Sequence, residues 1–108
     1  ECWKAVEDAG YVPSKIAESL GKQIGVFAGV TKTGFSLWNT PDTFYGTSFS
    51  SLVNRVSYFM DLRGPSISVD TMCSSSLVAL HQACESIRHG QIRMAIVGAV
   101  NLYLPPSN

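Results

Sequence analysis

The chain has 108 residues, of which 45% are apolar and 15% charged, with eight Lys or Arg balanced by eight Asp or Glu. A length of this order holds one domain at most; the apolar share excludes disorder, and the charged share, below the roughly 25% of ordinary soluble domains, predicts a surface that something else covers. A zero net charge without a basic cluster leaves no footprint for nucleic acid or an anionic membrane, no apolar run approaches the roughly 18 residues that cross a bilayer, and the start lacks the basic and apolar regions of a signal peptide.

Glu1 to Gly10, with Trp3, Val6 and Ala9 on one stripe and Gly10 where a C-cap is expected, reads as the last turns of an amphipathic helix. Tyr11 to Lys22 is a connector with a short helical turn after Pro13. Ile24 to Val30 is a continuous apolar run of strand length, the pattern of a strand buried on both faces of a parallel sheet. Thr31 to Gly46 is polar and turn-rich yet carries Phe35, Trp38, Phe44 and Tyr45, and loops of this length are usually functional or held by a neighbour.

Phe49, Leu52, Val53, Val56, Phe59 and Met60 recur at helical spacing behind Thr47 or Ser48 as N-cap, predicting a helix over 48–62 that Gly64-Pro65 stops. Ser66 to Asp70 is a short β-prone segment. Ser74 to His89 is helical by the spacing of Leu77, Leu80, Cys84 and Ile87, with Gly90 placed to end it, and Met94 to Val100 is a second buried-strand run. This order of strands and helices predicts an α/β layered fold. The chain opens at Glu1 inside a running helix and stops at Asn108 in a polar loop, so residues 1–108 are expected to be a partial domain, truncated at both ends.

Three cysteines, Cys2, Cys73 and Cys84, are odd in number for a disulfide framework and too widely spaced for a zinc module, which fits a reducing, cytoplasmic setting. Cys2 beside Trp3, and Cys84 on the apolar stripe of its helix, read as small packed hydrophobes. Cys73 differs by its place between the strand ending at Asp70 and the helix beginning near Ser74. Unpaired N–H groups and the positive end of a helix dipole stabilise an anion at such a turn, which favours a thiolate there, and the same N–H groups can hold a developing oxyanion. Ser74, Ser75 and Ser76 are small enough for a thioester and a neighbouring helix both to come close. Position alone leaves two readings of Cys73 open, a nucleophile or a packed turn residue.

A thiol nucleophile normally works with a base, and the histidines here are badly placed. His81 lies eight residues along the same helix, about 12 Å away at 1.5 Å per residue, and His89 is further still. Both read as solvent-facing or interface residues, so histidine partners of a catalytic Cys73 would lie outside these residues. The carboxylates are scattered without an acid/base pair. Asp70 is the exception by position, and it reads as a cap that bonds backbone N–H groups of the turn. Gly25, Gly29 and Gly34 do not make a G-x-G-x-x-G phosphate loop, so no nucleotide cofactor is expected, and no metal cluster is apparent.

The run Val69-Asp70-Thr71-Met72-Cys73-Ser74-Ser75-Ser76-Leu77-Val78-Ala79-Leu80-His81 resembles the active-site segment of β-ketoacyl synthases, the ketosynthase domains of modular polyketide synthases. Asn54 to Phe59, Asp61 to Ser66, the Trp3 to Tyr11 helix and the run from Gly98 to Leu102 resemble its flanks, so the likeness spans nearly the whole chain. The resemblance implies a thiolase-like αβαβα layered fold, with this chain part of the N-terminal half only, and a decarboxylative Claisen condensation. Carried over, Cys73 is the nucleophile that accepts an acyl chain from the phosphopantetheine arm of an acyl carrier protein, its backbone N–H is one oxyanion donor, and no cofactor is bound by the domain itself.

Two subunits would pair through the strand at 66–70, with the aromatic loop from Phe35 to Tyr45 near that interface or the substrate entrance; ordinary core packing is an equal reading of those aromatics. The family's two histidines and lysine belong to later motifs, H-G-T-G-T among them, so this piece alone is expected not to condense. Met72 stands where many relatives carry Ala and looks like synthases with free-standing acyltransferases. Alternatives within the fold are a discrete ketosynthase of fatty-acid synthesis and a domain that transfers acyl chains without condensing them. A thiol hydrolase would need a histidine and an acid on later loops, and the triple serine with the wider match argues against it.

Overall fold

The computed structural model describes residues 1–20, 23–31 and 48–101. Its elements, in chain order, are α1 (Cys2–Asp8), α2 (Ile16–Leu20), β1 (Ile24–Gly29), α3 (Phe49–Phe59), β2 (Ser66–Val69), α4 (Ser75–Arg88) and β3 (Met94–Ala99), with a short 3₁₀ turn at Met72–Ser74 joining β2 to α4. Each predicted helix and strand is present, with no end trimmed by more than three residues. The aromatic loop from Phe35 to Tyr45, Thr47 as a candidate N-cap and the end of the Gly98 to Leu102 run lie outside the described residues.

The sheet is parallel, in the order β2-β1-β3. Phe27 of β1 sits opposite Ile67 on one side and Val97 on the other. β1 is buried along its whole length, as its unbroken apolar run predicts, because it is central and has helices on both faces. Its side chains alternate between two cores. Ile24, Val26, Ala28 and Val30 pack with Val6, Ile16, Val53 and Met60 of the first three helices, while Phe27 packs with Val69, Ala79, Ala83 and Ile92 beneath α4.

Capping residues mark the start of α3 and the end of α4 where the sequence places them, but Gly64-Pro65 does not stop α3, which ends at Phe59 with Asp61 left-handed at φ +52° and its N–H on the Tyr58 carbonyl at 3.3 Å. The Ser48 hydroxyl accepts the Ser51 N–H at 3.3 Å at the start of α3. Beyond α4, Gly90 adopts φ +72°, so that its N–H reaches the Ile87 carbonyl and the Gln91 N–H reaches that of Ser86, both at 3.0 Å. This paired arrangement uses a left-handed residue that glycine supplies without a Cβ penalty.

Three further expectations are corrected. β3 is not a fully buried strand: only Ile96 is buried and Gly98 and Ala99 are exposed, because β3 forms one border of the described sheet. On α3, Val53 and Met60 enter the core as expected, but Leu52 and Phe59 face out and Tyr58 is 90% exposed; Phe59 meets Trp3 instead, ring centroids 6.1 Å apart.

The largest correction concerns α4. Its stripe of Leu77, Leu80, Cys84 and Ile87 faces away from the sheet, with Leu77 70% exposed, and Cys84 is an exposed thiol rather than a packed one. The face against the sheet is Ser75, Ala79 and Ala83. Phe27 already fills the space above β1 on this side, between Gly25 and Gly29, so only small helix residues fit over it.

Candidate active site

The turn between β2 and α4 is built from its own side chains. Met72 is held at φ +57°, a left-handed conformation that costs a non-glycine L-residue about 1–2 kcal/mol. Both of its backbone polar groups are engaged: the Met72 N–H donates to Asp70 Oδ1 at 3.2 Å, and its carbonyl accepts from Ser75 Oγ at 2.7 Å. Ser75 Oγ also accepts the Thr71 N–H at 2.9 Å, while Ser74 Oγ donates to the Thr71 carbonyl at 2.8 Å. Thr71 and Met72 are thus tied to Ser74 and Ser75 at the head of α4 by three side-chain bonds, and Met72 is tied to Asp70 by a fourth. Asp70 has the capping role read from its position.

Cys73 stands at the apex of this turn and is exposed. No acceptor meets its amide N–H among the described residues, and it precedes the N-terminal end of α4, where peptide dipoles favour negative charge. Beside it opens a hollow of about 370 Å³, bordered by Gly29 at the end of β1, Met72, Cys73, Ser76, and Ala99 and Asn101 at the end of β3. Open α/β sheets bind ligands at the carboxyl ends of their strands, where neighbouring connections diverge. Here β1 is followed by a connection to β2 on one side, and β2 by a connection to β3 on the other, so the hollow occupies that crevice.

A larger hollow of about 790 Å³ lies between α1 and α3, near Cys2, Trp3 and Phe59. Its lining includes neither Cys73 nor a histidine. His81 and His89 are exposed on α4, as expected; His89 Nδ1 lies 2.8 Å from the Glu85 carbonyl oxygen within its own helix. Cys2 is half-buried against the core of the first three helices, in keeping with its packing role. No group of three or more His, Cys, Asp or Glu suited to a metal occurs among the described residues, and no described helix is long and apolar enough to cross a membrane.

Sequence reading missed Gly29 and Ser75. Gly29 lies directly beneath the start of α4, and its role depends on the register of β1 against that helix. Ser75 was visible only as one of three small residues. The signal that could have singled it out is an elbow carrying Met rather than Gly, which needs side chains able to bond its peptide groups from nearby positions.

Comparison with known proteins gives the same assignment throughout. The family described as "Beta-ketoacyl synthase, N-terminal domain" matches residues 1–108. Among curated relatives, polyketide synthase PksL of Bacillus subtilis (strain 168) is 43% identical over 116 residues, which cover 98% of this chain and 3% of that protein. Reducing polyketide synthase ppsB of Aspergillus oryzae is 50% identical over 99 residues, covering 85% of this chain and 4% of the relative. Among solved structures, the ketosynthase from module 6 of the bacillaene synthase from Bacillus subtilis 168 superposes with a TM-score of 0.84 at 40% identity, covering 98% of this chain and 18% of that one. The chain therefore spans a small part of each relative's length. With its thiolase-like fold, it belongs to the β-ketoacyl synthase family, as part of the N-terminal domain of a ketosynthase of the polyketide synthase type.

Proposed function

We propose that the protein containing this chain carries out a decarboxylative Claisen condensation in polyketide biosynthesis, with Cys73 as the nucleophile. The observation that carries this reading is the elbow itself: an exposed thiol at the head of α4, beside a hollow at the strand ends, with an amide N–H that no described group engages. In the first half-reaction the Cys73 thiolate attacks the thioester carbonyl of an acyl chain on the phosphopantetheine arm of an acyl carrier protein. A new carbon–sulfur bond forms, the oxyanion develops within reach of the Cys73 N–H, and collapse expels the pantetheine thiolate, which takes up a proton.

In the second half-reaction a malonyl unit on a carrier protein loses carbon dioxide. The electron pair left behind attacks the acyl carbon on Cys73, the new carbon–carbon bond forms, and the Cys73 sulfur departs as thiolate. The histidines and lysine that the family uses for this step belong to later motifs than those present here. The domain binds no cofactor of its own. It works in the cytoplasm, a reading supported by three free cysteines, and it pairs with a second copy through the segment at 66–70, supported by the position of β2 at a border of the sheet with Ile67 exposed. The similarity of all the reported relatives to polyketide synthases disfavours a discrete fatty-acid enzyme.

The test is to incubate the full parent domain, wild type and Cys73→Ala, with an acyl thioester and follow the intact mass. An acyl adduct on the wild type that is absent from Cys73→Ala supports the nucleophile, and product formed on adding malonyl carrier protein separates condensation from transfer alone. A folded wild-type domain that never acquires the adduct overturns the mechanism.

A further inference from the structure

We infer that Ser75 is a positioning residue for acyl transfer, holding Met72 in its left-handed conformation and thereby fixing where the Cys73 amide and thiol stand at the hollow. Three observations support this. Of the three consecutive serines only Ser75 is buried, at 4% exposure, although it is two residues from an exposed nucleophile candidate. Its hydroxyl is used in both directions, donating to the Met72 carbonyl at 2.7 Å and accepting the Thr71 N–H at 2.9 Å, so it bridges two successive peptide units of the elbow. That double use leaves it no free donor proton for a substrate.

The third observation is the conformation being held. Met72, at φ +57°, has no glycine-like freedom, so side-chain bonds must offset its backbone cost. Asp70 is the exposed counterpart of Ser75, taking the Met72 N–H at 3.2 Å from the other side. If Met72 relaxes toward the right-handed region, the plane of the Met72–Cys73 peptide turns with it. The N–H proposed to meet the oxyanion belongs to that peptide. A misplacement of about 1 Å in such a donor is enough to cost a large factor in rate.

This inference rests on Cys73 being the acyl acceptor, and the experiment separates the two. In the parent domain, two rates are measured at Cys73 for wild type, Ser75→Ala, Asp70→Ala, Met72→Gly and Met72→Gly/Ser75→Ala. One is acylation by an acyl thioester, which passes through an oxyanion; the other is alkylation by iodoacetamide, which does not. The expected result is that Ser75→Ala slows acylation at least tenfold while alkylation stays within about twofold. In the Met72→Gly background, where a left-handed residue carries no Cβ penalty, the Ser75→Ala effect should shrink to about threefold or less.

Acylation by Ser75→Ala at the wild-type rate overturns the assignment, and so does a parallel fall of both rates. Should Ser75→Ala not fold, Asp70→Ala carries the same test from an exposed position, and an unchanged acylation to alkylation ratio there overturns it equally. A wild type that alkylates at Cys73 but never acylates refutes the nucleophile reading, and this inference falls with it.

Discussion

Gly29 at the end of β1 lies directly under Ser75: a Cβ at residue 29 would stand 2.9 Å from the Ser75 carbonyl carbon and 3.0 Å from its Cβ. The end of the central strand and the start of the helix behind Cys73 therefore touch backbone to backbone. Gly29→Ala is expected to push the head of α4 off the sheet, at a cost of about 1–3 kcal/mol from overpacking. Acylation of Cys73 should fall by more than tenfold, since the displaced segment carries the amide proposed as oxyanion donor. Thermal unfolding and acylation kinetics of the parent domain check both; a wild-type rate in the folded variant would show that the contact does not set the site.

The orientation of α4 can be tested by adding volume. Ala79 is fully buried on the sheet-facing side, so Ala79→Leu should destabilise by about 1–3 kcal/mol, or more if α4 cannot shift. Denaturant midpoints would show it, and an unshifted midpoint would mean that the helix is rotated from the position described.

Gly90 has open space around the place of a Cβ, so its requirement is conformational rather than steric. Gly90→Ala is expected to cost about 1 kcal/mol, with Cys73 acylation unchanged, because the strain lies at the far end of α4. Equilibrium unfolding measures the loss; a loss of 3 kcal/mol would contradict the open surroundings.

Among the described residues Asp61 is the other non-glycine residue in a left-handed conformation, at φ +52°, and its carboxylate makes there only an exposed contact with Arg63 at 3.4 Å. Exposed ion pairs contribute little. Asp61→Gly should therefore leave stability unchanged or raise it by up to about 1 kcal/mol, which differential scanning calorimetry can resolve. A clear drop would assign the carboxylate a structural role.

The layering was legible in the sequence because each element carried its own period: the unbroken run at β1 belongs to a strand covered on both sides, and Gly90 ends its helix locally, whereas α3 stops at Phe59, ahead of Gly64-Pro65. The facing of α4 was not. An apolar stripe tells that a face is to be covered, not by which neighbour, and Leu77 and Leu80 point away from the sheet because Phe27 leaves room only for Ala79 and Ala83. At the site, Cys73 and Asp70 stood out through their place beside a helix start, where local rules apply. Gly29 and Ser75 meet only when β1 and α4 are docked, across a sequence separation that no local pattern reports.

The small residues that seat α4 also have a mechanical consequence. With Ala79 and Ala83 as its bearings, the helix behaves as a rigid rod pressed onto the sheet, and the elbow is mounted on its tip. Ala83 lies about 15 Å along that rod from Cys73, at 1.5 Å per residue. A tilt forced there by one added methyl group would be levered to the tip as a displacement of the Cys73 sulfur, so the tolerances of the proposed chemistry extend to alanines remote from the elbow.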